Sequence, residues 1–358
     1  YGTTLSDSEL STSNLLRSIA YPDSSGGSDV VLFSYNRQGQ RATTIDQRGC
    51  VHTYEYDKLG RLTDDRVTTL GTGTDGAVRR LNVTYEVRGL PELLTSVDNP
   101  AVNTGTVLNQ VKQEYNDFGQ IVSSAQQQDG SVTGGSPTVE LTYANGSDNT
   151  IRPTGVVYPN GRELTYDYGS SGSIADKSSR IASIVDDDST HLADYDYLGL
   201  GTTVVVDYTE PDVKYTLVDL AGGNDEDTGD IYSGLDRFGR VKDCRWYDYG
   251  ESADTARLKY GYDRASNRLW REDTVARSLE KEFDELYSYD GLHRLKDMAR
   301  GWLNGSRTAL TSEAFGQCWT LDATGNWDGF REASTGASWT LEQSRTANPV
   351  NEITGITN

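Results

Sequence analysis

The feature that most constrains the fold is a short pattern that returns, degraded, along most of the chain. Its fullest copy is Thr53-Tyr54-Glu55-Tyr56-Asp57-Lys58-Leu59-Gly60-Arg61-Leu62. Tyr289-Asp290-Gly291-Leu292-His293-Arg294-Leu295 repeats it, as does Tyr262-Asp263 followed by Asn267-Arg268-Leu269. Leu235-Asp236-Arg237-Phe238-Gly239-Arg240-Val241 keeps the turn and loses the tyrosine. Tyr115-Asn116-Asp117-Phe118-Gly119-Gln120-Ile121 and Asp322-Ala323-Thr324-Gly325-Asn326-Trp327 are weaker copies. A unit recurring every roughly 20–30 residues predicts a fold built by stacking one supersecondary element on the next.

Each copy has a physical reading. Tyr54 and Tyr56 are two apart and project from one face of a strand. Asp57 opens a four-residue turn, bonding the backbone ahead of it, and Gly60 accepts the left-handed backbone that ends such turns. Arg61 and Leu62 begin the return strand, so the unit is a hairpin with Gly60 at its bulge position. Turns opening at Asn36 (with Gly39), Asp46 (with Gly49) and Asp57 are spaced about every ten residues, which leaves strands of roughly six. Residues 31–68 therefore read as an antiparallel meander.

Tyr-x-Tyr-Asp-x-x-Gly-Arg-Leu, with an Asp-x-x-Gly turn eleven residues earlier, resembles the YD repeat of RHS proteins. Residues 46–62 match that pattern almost position for position. Positions 262–269 and 289–295 match well, with Ser266 and His293 where Gly is usual; 115–122 and 235–241 match in part, and 196–230 hardly at all. The resemblance implies a long β-strip wound into a spiral. In bacterial Rhs toxins and the C component of insecticidal Tc toxins that strip closes into a shell around a toxic domain. In teneurins it forms an extracellular barrel used in adhesion, and in wall-associated relatives it sits on the bacterial surface. The Asp-Pro-x-Gly-containing segment that ends the shell in this family is not found here. Asn351-Glu352-Ile353-Thr354 reads as repeat still in progress, so the chain is expected to be a segment of a larger parent.

Composition agrees with a turn-dense β fold. Among 358 residues there are 37 glycines and 22 tyrosines, and only 35% of residues are hydrophobic, below the usual share for a globular chain. Aromatic rings then have to pack layers that aliphatic side chains cannot fill. The net charge of −21, with Lys and Arg scattered at turn exits such as Arg61, Arg240, Arg268 and Arg294, excludes an extended nucleic-acid surface. It favours cationic partners and keeps a large secreted protein in solution. No apolar run approaches the roughly 20 residues of a membrane-spanning helix. Cys50, Cys244 and Cys318 are odd in number and lack metal-ligand spacing, and no disulfide pairing can be read from them.

One elongated β domain is expected over 1–358. Ser24 to Asp29, Gln126 to Pro137 and Gly169 to Ser179 read as long loops on one rim; Asp186-Asp187-Asp188 and Gly222 to Asp230 read as acidic loops. Apolar residues at Val275, Leu279, Phe283 and Leu286 suit a helical turn within an insertion.

Constellations that could carry chemistry weigh little against structural readings. His52, His191 and His293 lack a triad or zinc motif around them, and His293 stands at a turn position that needs only tolerance of left-handed geometry. The Gly222–Asp227 run could offer oxygens to calcium but lacks the ordered ligands of an EF-hand. Asp64-Asp65, and Glu251 with Asp254, could serve a glycosidase only if they faced each other across a cleft. Six tryptophans (Trp246, Trp270, Trp302, Trp319, Trp327, Trp339) gather in the C-terminal third. They read as packing that replaces the tyrosines of the N-terminal copies.

The expected fold is all-β: an antiparallel YD-repeat strip wound as a spiral or partial barrel with long loops. The expected function is structural, without catalysis, metal or cofactor. It is a segment of a secreted or cell-surface RHS-repeat protein forming a shell or scaffold around or beside an effector domain. The alternative is a surface adhesin or carbohydrate-binding module using Trp and Tyr on loops such as 126–137. Expected partners are adjacent repeats or domains of the parent, an encapsulated cargo or surface glycan, and further copies through open sheet edges, without nucleic acid or membrane insertion. The repeat residues expected to carry the fold are Asn36, Gly39, Asp46, Gly49, Tyr54, Tyr56, Asp57, Gly60, Arg61, Leu62, Asp236, Gly239, Tyr262, Asp263, Arg268, Tyr289, Asp290, Arg294, Asp322 and Gly325. A residue that recurs in every unit serves the geometry of the unit.

Overall fold

A computed structural model describes residues 1–21, 29–144, 151–218, 234–334, 336, 338–349 and 351–358. The acidic run Gly222–Asp230 lies outside them, as does most of Ser24 to Asp29. The described residues form 25 strands and two short helices, and the strand pairs are antiparallel throughout. Turn residues near every tenth position and β-branched or aromatic residues between them leave the chain little else to form.

The chain divides into two compact units, Tyr1–Thr165 and Tyr166–Asn358. In the first, strands run from Ser18–Ala20 through Val30–Tyr35, Arg41–Ile45, Val51–Tyr56 and Leu62–Thr69 to Pro153–Val157, each paired with its neighbours in sequence. The meander expected over 31–68 is these four hairpin-linked strands. In the second unit the strands from Ser183–Asp186 to Ile353–Thr357 follow the same rule. Among the described residues of each unit, no pairing joins its first strand to its last. Each is an open antiparallel strip.

One segment departs from expectation, and one expected helical turn is present but short. Gly169 to Ser179, expected as a loop, contains the one-turn helix Ile174–Lys177, started by Ser173 accepting from the Asp176 amide at 3.1 Å. That is a side-chain cap of the kind Ser provides at helix starts. The helical turn expected near 274–286 is the five-residue helix Thr274–Ser278, capped by Asp273; Leu279 lies in the turn after it, Phe283 in the link that follows and Leu286 in the strand Asp284–Tyr289.

The hydrophobic core is thin. Its main cluster, in the second unit, is Val204, Val205, Leu217 and Leu235, with Tyr215, Val241 and Cys244 against it. Nearly as many polar or charged residues as hydrophobic ones are buried, among them Asp64, Asp243, Asp284 and Glu285. Burial of apolar area alone leaves such a strip weakly held. Its order rests on the strand ladders and on the side-chain contacts between hairpins.

Candidate functional site: an interlock between hairpins

The carboxylate that opens each turn is the hub of the motif. Asp57 Oδ1 accepts the amides of Leu59 and Arg61 at 2.8 and 3.0 Å, and Oδ2 accepts Arg61 Nε at 2.7 Å. Asp236 makes the same three bonds with Phe238 and Arg240, and Asp290 with Leu292 and Arg294. Asp263 and Asp322 keep both amide bonds and close the ring on Asn267 Nδ2 and Asn326 Nδ2, at 2.7 and 2.8 Å. Where the first residue is Asn, its NH₂ donates to the fifth: Asn36 to Gln40 and Asn116 to Gln120, both at 2.8 Å, and Asn348 to the Glu352 carboxylate at 2.7 Å. A carboxylate can only accept, so it meets a donor; an amide that already accepts two backbone bonds has its NH₂ left to give. Asp46 accepts the amides of Arg48 and Cys50 in the same way.

These bonds favour the charged carboxyl. The Arg61 amide, then its guanidinium, holds Asp57 below the usual carboxylate range, and Arg294 does the same for Asp290. The side-chain amides of Asn267 and Asn326 lead the same lowering at Asp263 and Asp322.

The fourth position carries left-handed backbone in each copy: Gly39, Gly49, Gly60, Gly239 and Gly325, with Gly60 at φ +81°. Ser266 and His293 adopt it too, at φ 69° and 62°. The ladder register shifts beside the turn, between Glu55 and Tyr56, as a bulge requires.

Tyrosine joins one hairpin to the previous one. Tyr56 OH donates to Arg41 O at 2.8 Å, Tyr85 to Leu62 O at 2.7 Å and Tyr115 to Pro91 O at 2.7 Å. In the second unit Tyr262 reaches Val241 O at 2.9 Å and Tyr289 reaches Arg268 O at 2.8 Å. Each acceptor is the residue just after the fifth position of the preceding turn on that rim. Burial pushes the phenols of Tyr56, Tyr262 and Tyr289 up, so they remain donors. Tyr54, on the same strand as Tyr56, reaches back to Thr44 Oγ1.

Arginine joins the hairpin to the next one. The Arg61 guanidinium lies over the Tyr85 ring at 4.2 Å, and Arg240 over Tyr262 at 4.7 Å. Arg240 and Arg294 also donate to the carbonyls of Asp263 and Asp322, at 2.9 and 2.7 Å. Gln40 also reaches the next turn, at its fourth residue, donating to Gly60 O at 2.9 Å. Arg268 is not a turn arginine of this kind: it is the sixth residue of its copy, with its guanidinium over Tyr260 and its carbonyl accepting Tyr289.

The other candidates are dispersed. His52 pairs with Asp65 and His191 with Asp194, each at 2.7 Å, and His293 accepts a place beside Asn267 in the turn ladder. Asp64 and Asp65 are consecutive strand residues and so point to opposite faces, Asp64 towards Arg80 and Asn82. Asp254 is ion-paired with Arg245. Cys50, Cys244 and Cys318 are free thiols. Among the described residues no group of three or more His, Cys, Asp or Glu side chains is placed to hold a metal ion, and no helix is long and apolar enough to cross a membrane. Five of the six tryptophans lie in strands rather than loops, and the 126–137 segment holds no aromatic residue. None of the six is fully buried; Trp319, Trp327 and Phe330 form a ring cluster with Arg345 over Trp327 at 4.8 Å.

Sequence reasoning missed further turns and a buried ionic set. Glu86 opens a turn closed by Gly89, preceded by Tyr85, and Asp186 opens one closed by Ser189. Widening the first position to Glu and the fourth to Ser would have found both. Asp243 binds Arg257 at 2.6 Å, Asp284 binds Arg277 at 2.9 Å, and Glu285 binds Arg300 at 2.7 Å. No local pattern announces those pairs.

No protein-family model matches the sequence, and no curated protein matches it. Among solved structures, the chain is similar to the Photorhabdus luminescens Tc holotoxin pore, at 12% identity and TM-score 0.47, over 89% of this chain and 15% of that one. It is similar to the TcdB2-TccC3 crystal structure at 14% identity and TM-score 0.47, over 89% of this chain and 16% of that one. A porin-like protein from Bacteroides uniformis matches at 11% identity and TM-score 0.22, over 83% of this chain and 90% of that one. The chain thus spans 15–16% of the two toxin chains.

Proposed function

We propose that this chain is a non-catalytic structural segment of a secreted or surface RHS-repeat protein, forming a β-shell or scaffold around or beside an effector domain. One observation carries the reading: in copy after copy, the Asp, Tyr and Arg that would catch the eye in an active site make the same contacts, within their own turn and to the adjoining hairpin. Groups engaged in the same way in one unit after another build the strip rather than a single reacting centre. Their contacts run between neighbouring hairpins, so the strip can extend by whole units. The experiment is cryo-electron microscopy of the protein at its native length. Strip density enclosing or bearing a separate domain supports the reading. An activity abolished by changing one unrepeated polar cluster, with the melting temperature unchanged, overturns it.

A second reading, a carbohydrate-binding adhesin, is favoured by one observation only: Trp327 is 42% exposed within its ring cluster, and such rings stack on sugars. Glycan-array binding that is lost on Trp327→Ala supports it.

A further inference from the structure

The rim that carries the Asp236 and Asp263 turns holds a crevice of about 760 Å³ lined by Arg237, Phe238, Arg240, Tyr262, Asp263 and Arg264. That is the size of an ordinary ligand recess. Its three guanidiniums are in different states. Arg240 is fully engaged by Asp236, the Asp263 carbonyl and the Tyr262 face. Arg237 has no hydrogen bond or ion pair to a described residue, only the Phe238 ring at 5.2 Å, and Arg264 has no such partner either. Asp263 is ion-paired with neither: its oxygens accept from the neutral Ala265 and Asn267, so it keeps its charge, and Arg237, Arg240 and Arg264 outnumber the carboxylates of Asp236 and Asp263 by one.

Arg237 and Arg264 are the second residues of their turns, the place Lys58 holds in the Asp57 turn, whereas the fifth-position Arg61, Arg240 and Arg294 each have a carboxylate within 3.0 Å. In a chain of net charge −21, two arginines without an ion pair to a described residue line the same crevice as an aromatic ring that is 70% exposed. Guanidiniums bind carboxylates through two parallel bonds and give orientation as well as energy. The ring adds an apolar contact of the kind that anchors a peptide.

We propose that this crevice binds an acidic peptide segment, with carboxylates on Arg237 and Arg264 and an apolar side chain against Phe238. A short peptide meets the local positive charge, whereas a long polyphosphate backbone meets the negative field of the whole chain. The site is independent of the scaffold reading, and either can fail without the other.

The test is fluorescence anisotropy on the full chain, with a short labelled peptide in which one phenylalanine is flanked by Asp and Glu. A second probe carries Asn and Gln in their place. The acidic probe is expected to bind, more weakly as salt rises, and the amide probe is expected not to. Arg237→Glu with Arg264→Glu should weaken binding at least about tenfold, roughly the effect of losing one charged pair across an interface. Phe238→Ala should weaken it less, and Lys58→Glu, on an exposed turn elsewhere, should leave it unchanged. Should charge reversal disturb folding by circular dichroism, Arg237→Gln with Arg264→Gln gives the same readout. Equal binding of the two probes, no loss in the double variants, or displacement of the peptide by a single-stranded oligonucleotide at lower concentration would each overturn the proposal.

Discussion

At Asn36 and Asn116 in the first unit, the turn is closed by two side-chain amides; at Asp236 and Asp290 in the second, it is closed by a carboxylate and a guanidinium. The backbone beneath is the same. Gly39 donates to Asn36 O at 3.0 Å and Gly239 to Asp236 O at 2.9 Å. Both closures also reach onward, Gln40 to Gly60 O and Arg240 to Asp263 O. The turn therefore selects complementary pairs rather than particular residues. What differs is what can disturb them, since only the ionic version answers to protons and salt. Buried ion pairs lie under the strands of both units, Asp64 with Arg80 in the first and Asp243, Asp284 and Glu285 with arginines in the second.

The largest expected effect tests that burial. Asp243 is 1% exposed between Arg257 and Lys259, so Asp243→Ala should cost about 3–5 kcal/mol, as breaking a buried pair does. Asp65→Ala, whose partner His52 is a third exposed, should cost about 1 kcal/mol or less. Equal shifts of the urea midpoint would erase the distinction.

Next come the left-handed positions. Gly60→Val and His293→Val place a β-branched residue at φ +81° and 62°, and each should cost about 2 kcal/mol. An unchanged melting temperature for either would remove that hairpin from the assignment. Tyr85→Phe and Tyr262→Phe should each cost about 1 kcal/mol, the loss of one donated bond with the ring kept. A clear difference between them would show that the back-reaching hydroxyl matters in one unit only.

Acid should separate the two closures. The folded pKa values of Asp236 and Asp290 are lowered: burial works against this at Asp236, where the Arg240 amide and guanidinium outweigh it, and the Arg294 amide leads at Asp290. Their stabilisation is complete above the ordinary carboxylate value, about 4, and is lost as pH falls through the lowered one. Hydrogen exchange, corrected for intrinsic rates, should then show the Arg240 and Arg294 amides losing protection in acid while Gln40 and Gln120 hold theirs. The smallest effect is the exchange of one closure for the other. Asn116→Asp with Gln120→Arg should change stability at pH 7 by no more than about 0.5 kcal/mol, read by thermal melting.

Much of this was legible because the turn is a local device. Asp57 and Gly60 announce a turn wherever they stand, and His293 could be read as a left-handed residue from its place in the pattern alone. The helix at Ile174–Lys177 was not legible, because Ser and Gly serve loops and caps alike. The destination of each tyrosine hydroxyl depends on register across a whole hairpin, which the motif does not encode. The pairing of Glu272 with Arg307 joins residues on either side of two strands, and only the folded sheet brings them together.

Because each tyrosine hydroxyl points to a carbonyl made earlier, the strip has a direction in time. On a ribosome, Tyr262 appears after Val241 is already in place, and Tyr289 after Arg268. Each arriving hairpin finds the acceptor of its tyrosine waiting, while its own turn side chain reaches forward to the next, as Arg240 does to Asp263 O. A chain built this way can order itself from the N-terminus as it emerges, its newest hairpin always the least secure.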